Sequence, residues 1–112
     1  MKVAVVGTCG SGKSTIAQAL CERGYDAYVV GQEHSAVSRL WARRDPDALI
    51  YLDVSLDVVR QRRSPDWPEW LFKQQRARLG SAREAATIRI DTSSISVDET
   101  VSKLESELDR SA

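Results

Sequence analysis

The sequence predicts an α/β domain of three layers around a small, mainly parallel four-stranded sheet, and two observations predict it. Four short apolar runs, at residues 3–6, 27–30, 49–52 and 88–90, alternate with stretches of helical spacing. They are continuous rather than alternating in polarity, which suits strands covered on both faces by crossover helices. The second observation is the junction after the first run. There Gly7-Thr8-Cys9-Gly10-Ser11-Gly12-Lys13-Ser14 spells G-x-x-x-x-G-K-[ST] between a strand and a helix, the context in which that pattern carries chemistry.

The elements follow in order. The first helix runs from about Lys13 to Arg23, turns Ile16, Ala19 and Leu20 inward, and stops at Gly24, a residue suited to the left-handed position after a helix end. The spacing of Val37, Leu40 and Trp41 predicts a second helix over residues 35–43, ended by Pro46. Ser55 caps a third helix with Leu56, Val58 and Val59 inward and Arg60, Gln61, Arg62 and Arg63 at its end. After the loop at residues 64–68, with Pro68 suited to a first helical position, a helical stretch over residues 69–86 is open to a break at Gly80. Arg89 interrupts the last apolar run and marks it as an edge strand. The final helix starts with the capping box Ser96-Val97-Asp98-Glu99 and lines up Val97, Val101, Leu104 and Leu108.

The loop at residues 7–14 explains itself chemically. Closely spaced phosphate oxygens need many converging donors, and successive backbone N–H groups supply them. Gly7, Gly10 and Gly12 allow unusual backbone angles and close approach. Thr8, Cys9 and Ser11 contribute the remaining amides of the cradle, and the helix that follows points its free amides and positive end at the phosphates. Lys13 is expected to reach the β- and γ-phosphates, Ser14 to ligate Mg²⁺, and Thr15 to meet the α-phosphate. The expected ligands are therefore a nucleoside triphosphate and Mg²⁺.

Composition narrows the partners. The 112 residues hold 42% hydrophobic and 29% charged side chains, which is ordinary for a globular protein. One domain spanning residues 1–112 with one modest core is expected. Sixteen basic and sixteen acidic residues cancel, so no global field favours nucleic acid or a membrane. Met1-Lys2 runs directly into the first strand and no apolar run reaches the roughly 20 residues of a membrane span. A cytoplasmic location is expected, with Cys9 and Cys21 reduced.

Residues 46–62, containing Pro46-Asp47, Ile50-Tyr51-Leu52-Asp53-Val54-Ser55 and Arg60-Gln61-Arg62, resemble the fourth strand and following helix of thymidylate kinase-like and deoxynucleoside kinase-like enzymes. Ile88-Arg89-Ile90-Asp91-Thr92-Ser93, followed by a helix, resembles their final strand and the region contacting the base, and the glycine-rich loop resembles theirs and that of the wider P-loop NTPase superfamily. The resemblance implies the P-loop NTPase fold and the use of ATP. It implies a lid role for Arg60, Arg62 and Arg63, neutralising charge on the transferring phosphoryl group; the bland alternative is a solvated helix end. It also implies an acid after the second strand serving Mg²⁺ or the acceptor hydroxyl, a place that Glu33 fills as general base or Mg²⁺ group. Asp53 is the competing acid, as a Mg²⁺ group or as a cap of the next helix. Those kinases are longer, with an acceptor-binding helical segment that has no counterpart here.

Gly31-Gln32-Glu33 also resembles the D-x-x-G-Q-E switch of small GTPases, whose Gln orients water. Tyr28 stands where the Asp would be, and no N-K-x-D-like guanine motif follows, so ATP is favoured over GTP. His34 reads as a surface or a catalytic histidine. Trp67 and Trp70 read as helix packing or as a stacking platform. Two functions follow: an ATP-dependent nucleotide-kinase-like phosphotransferase with a small-molecule acceptor, or a nucleotide-binding module or slow NTPase that switches a protein partner. A structural domain that keeps the loop as a remnant is the third.

Overall fold

The computed structural model describes residues 1–111. Its strands are β1 (Lys2–Gly7), β2 (Asp26–Val29), β3 (Ala48–Asp53) and β4 (Ile88–Asp91). Its helices are α1 (Lys13–Glu22), α2 (Leu56–Arg62), α3 (Glu69–Arg78), α4 (Gly80–Ala85) and α5 (Val97–Ser111). The four strands form one sheet in the order β2-β1-β3-β4, parallel throughout. Register is set by pairs such as Val3 with Ala27, Val5 with Ile50 and Leu52 with Ile90.

Strand periodicity divides the core between the two faces of the sheet. Val3, Val5, Ile50 and Leu52 point to the face covered by Ile16, Ala17 and Leu20 of α1 and by Val101, Leu104 and Leu108 of α5. Ala4, Val6, Leu49 and Tyr51 point to the opposite face, against Leu79, Ala82 and Trp41. A smaller cluster of Val54, Val59 and Phe72 joins α2 to α3. The continuous apolar runs of β1 and β3 are thus buried on both sides, whereas β2 and β4 are edges and alternate in exposure.

Local signals explain the helix ends. Gly24 follows α1 with φ +94°, a left-handed angle that costs glycine little. Ser55 Oγ accepts from Val58 N at the start of α2. In the capping box, Glu99 N donates to Ser96 Oγ at 3.1 Å and Ser96 N donates to Glu99 Oε1 at 3.4 Å. The helical stretch over residues 69–86 does break at Gly80, into α3 and α4. Pro68 sits just before the first residue of α3 rather than within it.

The expected helix at residues 35–43 does not form. That segment has 3₁₀ turns at Gln32–His34 and Leu40–Ala42 with extended backbone at Ser35 between them. Trp41 is buried, but Val37 is 47% exposed. The spacing of Val37, Leu40 and Trp41 resembled a helix face, yet Gln32 decides the conformation. Its amide donates to Val37 O at 2.7 Å and accepts from Trp41 N at 3.1 Å, pinning both residues in a loop. None of the described helices is long and apolar enough to cross a membrane.

Candidate active site

Parallel α/β sheets bind ligands beyond the carboxyl ends of their strands, where connections leave to opposite sides. Here that point is β1, with β2 on one side and β3 on the other. The loop from Gly7 to Gly12 rises from the end of β1 and turns into α1. Gly10 and Gly12 take φ +82° and +93°, angles open to glycine but strained for other residues. A Cβ at Gly12 would meet nothing within 4 Å, because that side of the loop faces an open cradle. Gly7 answers to a different constraint: a Cβ there would lie 2.5 Å from Ser11 Oγ and 2.8 Å from Leu52 O. The first bond of α1 is Ile16 N to Gly12 O, 3.0 Å, so the amides of Lys13, Ser14 and Thr15 are the unpaired donors of a helix start.

A cavity of about 390 Å³ opens beside this start. Its floor is Gly10 to Ile16, and its walls include Arg62, Arg63, Thr92, Ile95, Val97 and Thr100. Lys13, Ser14 and Thr15 therefore line one cavity together, as the loop motif requires. Exposed Val97, expected among the packed residues of the last helix, supplies an apolar wall here together with Ile95.

The arginines divide. Arg62 donates to Gly10 O at 2.9 Å and to Thr92 O at 2.7 Å, so it clamps the loop to the end of β4. Thr92 Oγ1 completes the clamp by donating to Ser11 O at 3.0 Å. Arg60 donates to Trp67 O at 3.1 Å and holds the loop before α3. Arg63 lines the cavity, and its side chain has no hydrogen bond or ion pair among the described residues. Of the three, Arg62 and Arg63 line the cavity, and only Arg63 does so with its guanidinium unpaired among the described residues.

On the β2 side of Lys13 lies a second group. Lys13 Nζ forms an ion pair with Glu33 Oε2 at 2.5 Å and donates to Thr8 O at 3.0 Å. The Lys13 and Glu33 side chains are 11% and 3% exposed. His34 Nε2 stands 3.8 Å from Glu33 Oε2 and 3.7 Å from Cys9 Sγ. Gln75 of α3, 2% exposed, accepts from Cys9 N at 3.0 Å and donates to Cys9 Sγ at 3.3 Å. Among the described residues five buried side-chain polar atoms lack a partner, and three of them, Thr8 Oγ1, Ser11 Oγ and Glu33 Oε1, belong to the loop or to the acid paired with its lysine. Buried polar groups without a protein partner are uncommon in folded proteins and call for water, an ion or a ligand.

Gln32 is fully buried and its amide is spent on Val37 O, Arg78 O and Trp41 N. It is placed as a staple rather than toward Lys13. Asp53, at the end of β3, accepts from Val54 N at 3.0 Å and stands 3.8 Å from Arg76. The acid that touches Lys13 is Glu33. Asp91 at the end of β4 is held below the ordinary carboxyl range by hydrogen bonds from Ser93, its hydroxyl first and then its amide. Trp67 packs against the cluster of Val54, Val59 and Phe72, while Trp70 is 66% exposed. Cys9 and Cys21 are both free thiols.

Gln75 and the Cys9–His34 pairing were not foreseen from the sequence. Phe72, Gln75 and Leu79, at helical spacing, put one polar residue on the inward face of α3, and that was the available signal.

Strand order, the loop between β1 and α1, and the helices on both faces meet in one architecture. The fold is that of a P-loop kinase. Among solved structures the chain is similar to a shikimate kinase from Acinetobacter baumannii, determined in complex with shikimate. The TM-score is 0.67 and the identity 17%, over 96% of this chain and 92% of that one. No protein-family model matches the sequence, and no curated protein does.

Proposed function

We propose that the chain is an ATP-dependent phosphotransferase acting on a small hydroxyl-bearing acceptor, with nucleosides and nucleotides among the candidates. The observation that carries this reading is the position of Lys13. It lies on the floor of the nucleotide-sized cavity and touches the buried acid Glu33 on the other side. A phosphotransferase needs that geometry, a cation at the β- and γ-phosphates next to a base at the acceptor.

The residues fit MgATP: the cradle at Gly12 is open, Ser14 is exposed and lines the cavity, and Glu33 Oε1 is unpartnered. Ile95 and Val97 provide an apolar wall for a base, and Thr92 and Thr100 provide hydroxyls beside it. Mg²⁺, held by Ser14 with Glu33 or Asp53 nearby, would supply neutralising charge at the β- and γ-oxygens. On nucleotide binding, Lys13 exchanges Glu33 for phosphate oxygens. Freed from its cation, the Glu33 carboxylate accepts the proton of the acceptor hydroxyl. The acceptor oxygen bonds to the γ-phosphorus as the bond to the β–γ bridging oxygen breaks, and ADP leaves. Arg63 faces the developing charge. The fold of the shikimate kinase and its pairing with a small hydroxylated ligand support a small acceptor; the acceptor's identity follows from chemistry in the test below.

The test is ADP formation from ATP with and without a panel of nucleosides, nucleotides and small polyols. Acceptor-dependent ADP formation, lost in Glu33→Gln with ATP affinity retained, is the expected result. Acceptor-independent turnover would instead favour a slow NTPase, and tight binding without turnover a nucleotide-dependent binding module. Undiminished turnover in Glu33→Gln would remove Glu33 from the chemistry.

A further inference from the structure

Cys9, Glu33 and His34 bring three metal-ligand atoms within 4.8 Å of one another. We infer that they form a site for one thiophilic divalent cation, Zn²⁺ or Co²⁺, on the β2 side of the phosphate loop. The residue types match a borderline-soft ion: a sulfur, an imidazole nitrogen and a carboxylate oxygen, a set that hard Mg²⁺ does not favour. The spacing matches as well. Tetrahedral Zn²⁺ with bonds of about 2.3 Å to sulfur and about 2.0–2.1 Å to nitrogen and oxygen places its ligands about 3.3–3.6 Å apart. Cys9 Sγ and His34 Nε2 are already 3.7 Å apart, and His34 Nε2 and Glu33 Oε2 3.8 Å.

An independent observation points the same way. Glu33 Oε1 is buried without any partner, although Oε2 is satisfied by Lys13. The carboxylate that faces His34 through Oε2 thus keeps a second oxygen, Oε1, for a cation, and turning Oε1 toward Cys9 and His34 leaves Oε2 with Lys13. Gln75 supplies an outer support: its Nε2–H lies 3.3 Å from Cys9 Sγ and would steady a thiolate. Binding requires that Cys9 give up its thiol proton to solvent, forming the metal–sulfur bond as the S–H bond is lost. Three protein ligands leave a fourth position for water, in the manner of an open site. His34 is the exposed member, with a side chain 63% exposed, and gives the ion its entry. The site is independent of whether the chain transfers phosphate, although an ion there would hold Glu33 away from an acceptor.

The test is a Co²⁺ titration of the metal-free, tag-free full-length chain in excess Mg²⁺, without nucleotide. The expected result is one Co²⁺ per chain with a near-ultraviolet sulfur-to-metal charge-transfer band and visible bands of tetrahedral intensity, all displaced by Zn²⁺. Cys9→Ser should abolish the charge-transfer band and Cys21→Ser should leave it intact. His34→Ala, at an exposed position, should weaken Co²⁺ affinity at least tenfold with an unchanged far-ultraviolet circular dichroism spectrum, and Glu33→Gln should weaken it as well. A wild-type chain without the band overturns the site, and so does a band that survives Cys9→Ser or an affinity indifferent to His34→Ala. Because the readout is binding, its failure leaves the ADP-formation test unaffected.

Discussion

Replacing Lys13 by alanine removes the cation from a pair whose members are 11% and 3% exposed. Glu33 is left as a buried carboxylate with Oε1 already unpartnered and Oε2 newly so. Breaking a buried pair by deleting one partner costs about 3–5 kcal/mol, because the remaining charge has lost both water and counter-ion. Both side chains are less than a third exposed, so solvent screening does not reduce that figure to the level of a surface pair. With a urea slope of about 1.5–2 kcal/mol per M for a small domain, the midpoint should fall by about 2–3 M. Fluorescence of buried Trp41 and half-buried Trp67 can follow the transition. Neutralising the stranded acid should recover most of the loss, so Lys13→Ala with Glu33→Gln should be more stable than Lys13→Ala alone. This double-mutant cycle isolates the pair. If Lys13→Ala lies within about 0.5 kcal/mol of wild type, the range expected of surface changes, or if adding Glu33→Gln recovers nothing, the ion pair does not hold this part of the structure.

Two further outcomes follow from other residues. Gln32→Leu should cost about 1–3 kcal/mol, the penalty for leaving the buried Trp41 amide unpaired, because the part-buried carbonyls of Val37 and Arg78 can turn to water; thermal unfolding measures this, and lost ATP turnover at unchanged stability would return Gln32 to the chemistry. Tyr25 donates to Asp109, and that bond, with burial second, pushes its pKa up to about 12 from 10.0. The folded state thus favours the neutral phenol: its stabilisation is complete below pH 10 and lost as pH rises toward 12, and Tyr25→Phe should flatten that part of the stability profile.

What could be read from the chain depended on how far apart the contributing residues lie. Apolar runs marked all four strands to within two residues at either end; β1 and β3 are covered on both faces and need no periodicity to be recognised, while β2 and β4 are the edges of the same sheet. The phosphate loop is contiguous, and so is the capping box at Ser96 and Glu99. The segment at residues 35–43 was misleading because its helical spacing is overridden by Gln32, a tertiary staple. The meeting of Lys13 with Glu33, and of Cys9 with His34 and Gln75, joins the β1–α1 loop, the turn after β2 and α3. That meeting depends on β2 lying directly beside β1, an order that no local pattern encodes. Arg62 likewise looked available at a helix end, yet its partners Gly10 and Thr92 lie 52 and 30 residues away in sequence.

On nucleotide binding, Lys13 is expected to leave Glu33 and hold the phosphates of a nucleoside triphosphate. Calorimetric titration of MgATP into wild type and into the Lys13→Ala, Glu33→Gln double variant tests it without the uncompensated charge that Lys13→Ala alone would bury. A charge-assisted phosphate contact is worth about 1.5–3 kcal/mol, so wild type should bind one MgATP and the folded double variant should bind it about 10–150-fold more weakly. Equal affinity in the two proteins, or no binding to wild type, would contradict the account.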